Sequence, residues 1–196
     1  MLNTNPPSLN ISFQPVYRRI DMSFPEIKLD PQADIPAGSR NYMTPRGVRR
    51  LRDELDDLVR QGRPQLLAAI NRLNREGAGR TDARYRDTRK SLQRLESRIA
   101  FLTGRLAITE EIDPREQNSD KVRFGATVRV QPAEGPEKTY RIVGIDEADI
   151  ERGHVSWTSP LARALLDGRP GDVIKMRTPA GEQELEIVEV CYREIN

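Results

Sequence analysis

The chain has 196 residues, 36% of them hydrophobic and 32% charged, with 32 Lys and Arg against 30 Asp and Glu. No apolar run approaches the roughly 20 residues of a membrane-spanning helix, and the start MLNTNPPSLN lacks the basic and apolar stretches of a secretory signal. The expectation is a cytoplasmic protein of one or two domains with no membrane partner. Cys191 and His154 are each the only residue of their kind, which excludes an internal disulfide, a Cys-rich zinc site and a two-histidine metal site.

The small net charge hides an asymmetry. Residues 1–43 are neutral, residues 44–106 carry a net +8, and residues 107–196 a net −6. A basic middle joined to an acidic end is a polarised molecule. Two readings are open: the basic part seeks an anionic partner, or it is an Arg-rich solvated helix pair.

Residues 1–43 hold six prolines and no sustained period, and are read as a disordered or extended tail. Thr44-Pro45 then opens a helix, with Thr44 as N-cap and Pro45 at the first helical position. Val48, Leu51, Leu55, Leu58, Leu66, Ile70 and Leu73 form its apolar stripe, and Gly62 and Pro64 predict a kink or local irregularity within it. Gly77-Ala78-Gly79 stops it. A second helix starts near Thr81 or Asp82, with a heptad seam at Tyr85, Thr88, Leu92, Leu95, Ile99, Leu102 and Leu106. The pair reads as an antiparallel coiled-coil hairpin over 44–108, about 50 Å long, with its tip near 77–82.

A linker is expected over 109–120 and a second module over 121–196. Val122–Val130 alternates apolar and polar residues, as a half-buried strand does. Further strands are predicted at Thr139–Ile145, His154–Thr158, Val173–Arg177 and Gln183–Tyr192, with turns at 134–136 and 179–181. Ser159-Pro160 opens a short helix that Gly168 ends. His154 reads as structural, Cys191 as a core residue of the last strand, and Trp157 as a core or edge aromatic. The fold class is α+β in two domains, the second a mostly antiparallel sheet.

This arrangement resembles the Gre family of bacterial transcript-cleavage factors over about Tyr42 to Glu194. TPRGVRRLRDEL is similar to the family's first helix and ARYRDTRKSLQRLESRIAFL to its return helix. FGATVRV, TYRIVGIDEAD, SPLARALLDGRPGD and TPAGEQELEIVEV follow its FKBP-like domain in order. The long first helix and Arg63-Pro64 lean toward the GreB branch. The resemblance implies a monomeric partner of bacterial RNA polymerase that is not itself an enzyme. The end domain binds at the secondary-channel mouth and the hairpin enters the channel. Tip carboxylates then help hold the polymerase's catalytic Mg²⁺ while it cleaves backtracked RNA. No cofactor is expected on the chain alone.

At the tip this sequence departs from the family. Aligned without gaps, the family's acidic positions fall on Ala78 and Thr81, and a further one on Arg84. Asp82 and Glu76 are the remaining candidates for metal binding, although an Asp at 82 also serves simply as an N-cap. Arg89 and Lys90 match basic family positions that face the nascent RNA 3′ end. Asp146, Glu147, Ser159 and Pro160 match its polymerase-facing motifs; the same residues also suit a strand-end turn and a helix cap. Three functions follow as expectations. The first is a channel-binding regulator with weak or no cleavage stimulation. The second is a cleavage factor using Asp82 and Glu76. The third is a nucleic-acid-binding or kinase-regulating module that has left the polymerase.

Overall fold

The computed structural model describes residues 35–178, except 37, and 181–195. The tail reading over residues 1–34 and part of the predicted turn at 179–181 lie outside these. The elements run β1 (Asn41–Met43), α1 (Pro45–Asp57), a π-helical turn (Leu58–Gly62), α2 (Arg63–Arg75), α3 (Ala83–Ala107), β2 (Thr109–Glu111), β3 (Ala126–Pro132), β4 (Lys138–Val143), β5 (His154–Ser156), α4 (Pro160–Leu165), β6 (Val173–Thr178) and β7 (Gly181–Tyr192). No helix among the described residues is long and apolar enough to cross a membrane.

The hairpin starts as its sequence dictates. The Thr44 hydroxyl accepts from the Gly47 amide and Pro45 holds the first helical position. The irregularity expected near Gly62 and Pro64 is the π-helical turn at 58–62, just ahead of that proline. Proline cannot donate a backbone hydrogen bond, and the wider turn absorbs the defect without ending the helix. At the far end Gly77 takes φ +76°, a conformation that glycine adopts at little cost. The Ala78 amide bonds the Leu73 carbonyl and the Gly77 amide that of Asn74, which closes α2 as a Schellman turn. Asp82 caps α3, its carboxylate accepting from the Arg84 amide at 2.8 Å.

Burial along the hairpin is uneven. Met43, Val48, Leu51, Leu58 and Leu102 form one cluster at its base, joined by Leu55, Leu95, Ile99 and Leu106. Toward the tip only Ile70, Leu73 and Leu92 are buried. Two helices alone cannot enclose more than a single seam.

Two expectations about the base are corrected. Residues 41–43, read as the end of a tail, form a strand, and 109–111, read as linker, pair with it in parallel. The Ile112 amide extends the pairing to the Met43 carbonyl. Three-residue strands have no period to read, and their partners lie far apart in sequence. Beyond them a short 3₁₀ turn at Pro114–Glu116 is capped by Asp113, so the connection is ordered.

The end module is a five-stranded sheet in the order β5-β4-β3-β7-β6. It is mostly antiparallel, as expected, with one parallel pair where β5 joins β4. Its core is Val122, Ala126, Val128, Val130, Ile142, Leu185 and Ile187 from the sheet side, with Ala162 and Leu165 of α4 packed against them. Ser159 caps α4 by accepting from the Ala162 amide at 3.1 Å. A bulge between Arg129 and Val130 leaves Val188 without an opposite residue. It reverses the parity of β7, so Leu185 and Ile187 face inward before it and Val190 and Tyr192 pack inward after it. Cys191 is thereby turned to the polar outer face beside Thr127 and Arg129, which corrects its reading as a core residue.

Candidate functional site

The sequence candidates separate into two places at opposite ends of the hairpin. At the tip, Asp82 and Glu76 share one cation. The Arg84 guanidinium lies 2.9 Å from Asp82 and 3.5 Å from Glu76. Its Nε and Nη2 both donate to the Asp82 carboxylate, which also receives the Arg84 backbone amide. The side-chain hydrogen bond from Arg84 holds the Asp82 carboxyl below the usual aspartate range, with desolvation opposing it. Arg72 stands a further 3.9 Å from Glu76. Ala78 offers no ligand, and Thr81 offers a neutral hydroxyl. Among the described residues there is no group of three or more His, Cys, Asp or Glu that could hold a metal ion. The magnesium ion implied by the resemblance does not fit this donor set: an exposed Glu76 and a half-buried Asp82, both already paired to arginine, are poor ligands for a hard cation. Arg89 and Lys90 lie on α3, exposed to solvent.

At the base, Asp146 and Glu147 sit on a 3₁₀ turn that follows β4 and face the hairpin. Arg105, in the last turn of α3, is buried and grips Asp146 with two bonds, Nε at 2.8 Å and Nη2 at 3.2 Å. Its guanidinium also lies over the Phe101 ring. Arg50 of α1 donates to the Asp146 carbonyl. Glu147 is buried and accepts from the backbone amides of Thr44 at 2.9 Å and Gly144 at 3.1 Å, and from the Thr44 hydroxyl. A side chain at Gly47 would collide with the Glu147 carboxyl, so α1 can approach only as glycine there. Tyr42 of β1 packs on Phe124 and Trp157 with ring centroids 5.8 Å and 5.6 Å apart, which places Trp157 at the seam. The Glu147 carboxylate therefore faces the hairpin and not the surface. Ser159 is half-buried as a cap, and Pro160 is exposed.

Sequence reasoning missed Arg105 and Thr44 as partners of these acids. Arg105 lies in the last turn of α3 next to the seam residue Leu106, and nothing local announces its carboxylate.

The family model described as "Transcription elongation factor, N-terminal" matches residues 41–110, starting where β1 starts. That described as "Transcription elongation factor, GreA/GreB, C-term" matches residues 116–192. The chain belongs to the GreA/GreB family. Relatives named transcription elongation factor GreB and GreA stand close to it. GreB of Neisseria meningitidis strain Z2491 is 39% identical over 81% of this chain and 98% of its own. GreA of Alkalilimnicola ehrlichii is 43% identical over 79% of this chain and 99% of its own. Both branches of the GreA/GreB family are thus near. Among solved structures, GreA factor homolog 1 of Thermus thermophilus matches 78% of this chain and 99% of its own at 22% identity, with a TM-score of 0.37.

Proposed function

We propose that this GreA/GreB chain is a monomeric cytoplasmic regulator of bacterial RNA polymerase that acts by occupying the secondary channel, with weak or no stimulation of transcript cleavage. The observation that carries the reading is the Arg84 clamp: the two carboxylates left near the tip are both engaged by one guanidinium, while this chain has Ala78 and Thr81 where the family pattern has acids. The end domain supplies the docking surface through the region of Ser159 and Pro160. The Asp146–Glu147 turn fixes the angle at which the hairpin leaves that surface. The net +8 hairpin suits an anionic channel or RNA, and Arg89 and Lys90 face the nascent 3′ end. The chain is not an enzyme, and no step of cleavage is routed through its own side chains.

The test is cleavage of backtracked RNA in stalled elongation complexes. Wild-type protein is expected to give little cleavage and to suppress cleavage by an active Gre factor as its concentration rises. Strong cleavage that disappears in Asp82→Asn would establish a working cleavage factor instead. Failure to bind or compete on polymerase would leave a nucleic-acid-binding or kinase-regulating role.

A further inference from the structure

Between the first turn of α1 and the β4–β5 side of the sheet lies an open cavity of about 70 Å³. Both modules line it: Arg46 and Arg50 come from α1, and Glu147, Asp149, Arg152 and His154 from the end module. The two carboxylates are already engaged. Glu147 is held by Thr44 and Gly144. Asp149 pairs with Arg152 at 3.5 Å. The Arg46 side chain, by contrast, is exposed and makes no hydrogen bond or ion pair among the described residues.

The second observation is independent of charge counting. His154 is 6% exposed, and its Nε2 is buried without a partner. A buried polar atom in that state marks a missing ligand or water. The imidazole also senses the local field. Its pKa is held below the usual histidine value, first by burial and then by Arg141, with Arg46 and Arg152 adding to the effect and Asp149 opposing it. A neutral imidazole with its proton on Nε2, beside the unpaired Arg46 side chain and the amino-terminal end of α1, can donate to an oxyanion; Arg50 and Arg152 line the same cavity but are already held by the Asp146 carbonyl and by Asp149.

We propose that this cavity binds a phosphoryl group. A single water needs about 10–15 Å³ on the same measure, so a tetrahedral oxyanion fits the cavity. A phosphate carries more charge than a carboxylate and offers more acceptor oxygens to arginine forks. The source is free phosphate or the monoester end of a nucleotide whose remainder stays outside. Because the walls belong to both modules, an occupant ties the hairpin to the sheet and stabilises the folded chain by mass action. This inference does not depend on polymerase binding.

The experiment is thermal unfolding of the full chain, with ³¹P NMR titration, against inorganic phosphate, AMP and acetate at ionic strength matched with NaCl. Phosphate is expected to raise the melting temperature. Arg46→Gln, at an exposed and unpaired position, is expected to keep the circular dichroism of the wild type and weaken phosphate binding about fivefold or more. His154→Gln is expected to weaken it as well. A stronger response to AMP than to phosphate assigns the nucleotide source, and an equal or weaker one assigns free phosphate. A phosphate response no greater than that of NaCl or acetate overturns the proposal, as does a response unchanged in Arg46→Gln.

Discussion

At the base of the hairpin, Asp146 and Glu147 are folded inward against Arg105 and Thr44. At its tip, Asp82 and Glu76 stand in solvent against Arg84. All four are carboxylates with good partners, yet they differ in what would follow from losing one. The base pairs sit where water cannot replace a lost partner, so each removal strands a charge or a donor. The tip pairs are screened and replaceable. The base is thus an architectural joint, while the tip is free to change its chemistry without endangering the fold.

The comparison breaks most visibly at the joint. Asp146→Lys puts a third cation beside Arg105 and Arg50 and should cost about 3–5 kcal/mol, the range for uncoupling a buried pair. Urea unfolding measures this, and a competition assay should show polymerase binding weakened severalfold or more. Ala78→Gly at the tip should leave both unchanged. Met43→Ala, within the base cluster and fully buried, should cost about 2–5 kcal/mol. Leu67→Ala, on an exposed part of α2, should stay within about 0.5 kcal/mol.

The tip should respond in function instead. Ala78→Asp with Thr81→Glu restores acids at the family positions, and Arg84→Ala removes the cation that would claim them. The triple variant should raise magnesium-dependent cleavage about tenfold or more over wild type, since two ligands organise an ion better than one. Either acid alone should do less. No gain despite intact polymerase binding would show that the tip does not reach the polymerase metal.

The smallest effect is acid sensitivity of the tip. The Asp82 carboxyl titrates below its unfolded value, so its stabilisation is present above the unfolded pKa and lost as pH falls through the folded one. Amide exchange at Arg84–Arg86 should accelerate in that acid window, and Asp82→Asn should remove the pH dependence while keeping a capping side chain.

Much of this was legible in the chain itself. The caps at Thr44, Asp82 and Ser159, the glycine stop at Gly77 and the stripes through Leu51 and Leu102 are local signals, and the structure carries each of them. That Ala78 and Thr81 stand where the family has acids came from the resemblance, not from a local signal. The joint was not legible. Its parallel β1–β2 strands are too short for a pattern, and Arg105 meets Asp146 only across 41 positions of sequence. The motif around Glu147 was visible, but its partner Thr44 lies 103 positions away in sequence. The sequence showed Arg84 at a family acidic position, but not that its guanidinium occupies the two remaining carboxylates.

The π-helical turn at Leu58–Gly62 has a consequence for how this hairpin tolerates changes in length. A residue added to or removed from an α-helix rotates everything beyond it by about 100°. A π turn already stores one surplus residue in a widened loop of backbone, and the helical phase on either side is kept. Deleting one residue within 58–62 should therefore shorten the arm slightly and leave the azimuth of Gly77–Asp82 about the long axis where it was. The same deletion within α2 should swing the tip by more than a quarter of a circle and take Ile70 and Leu73 off the seam.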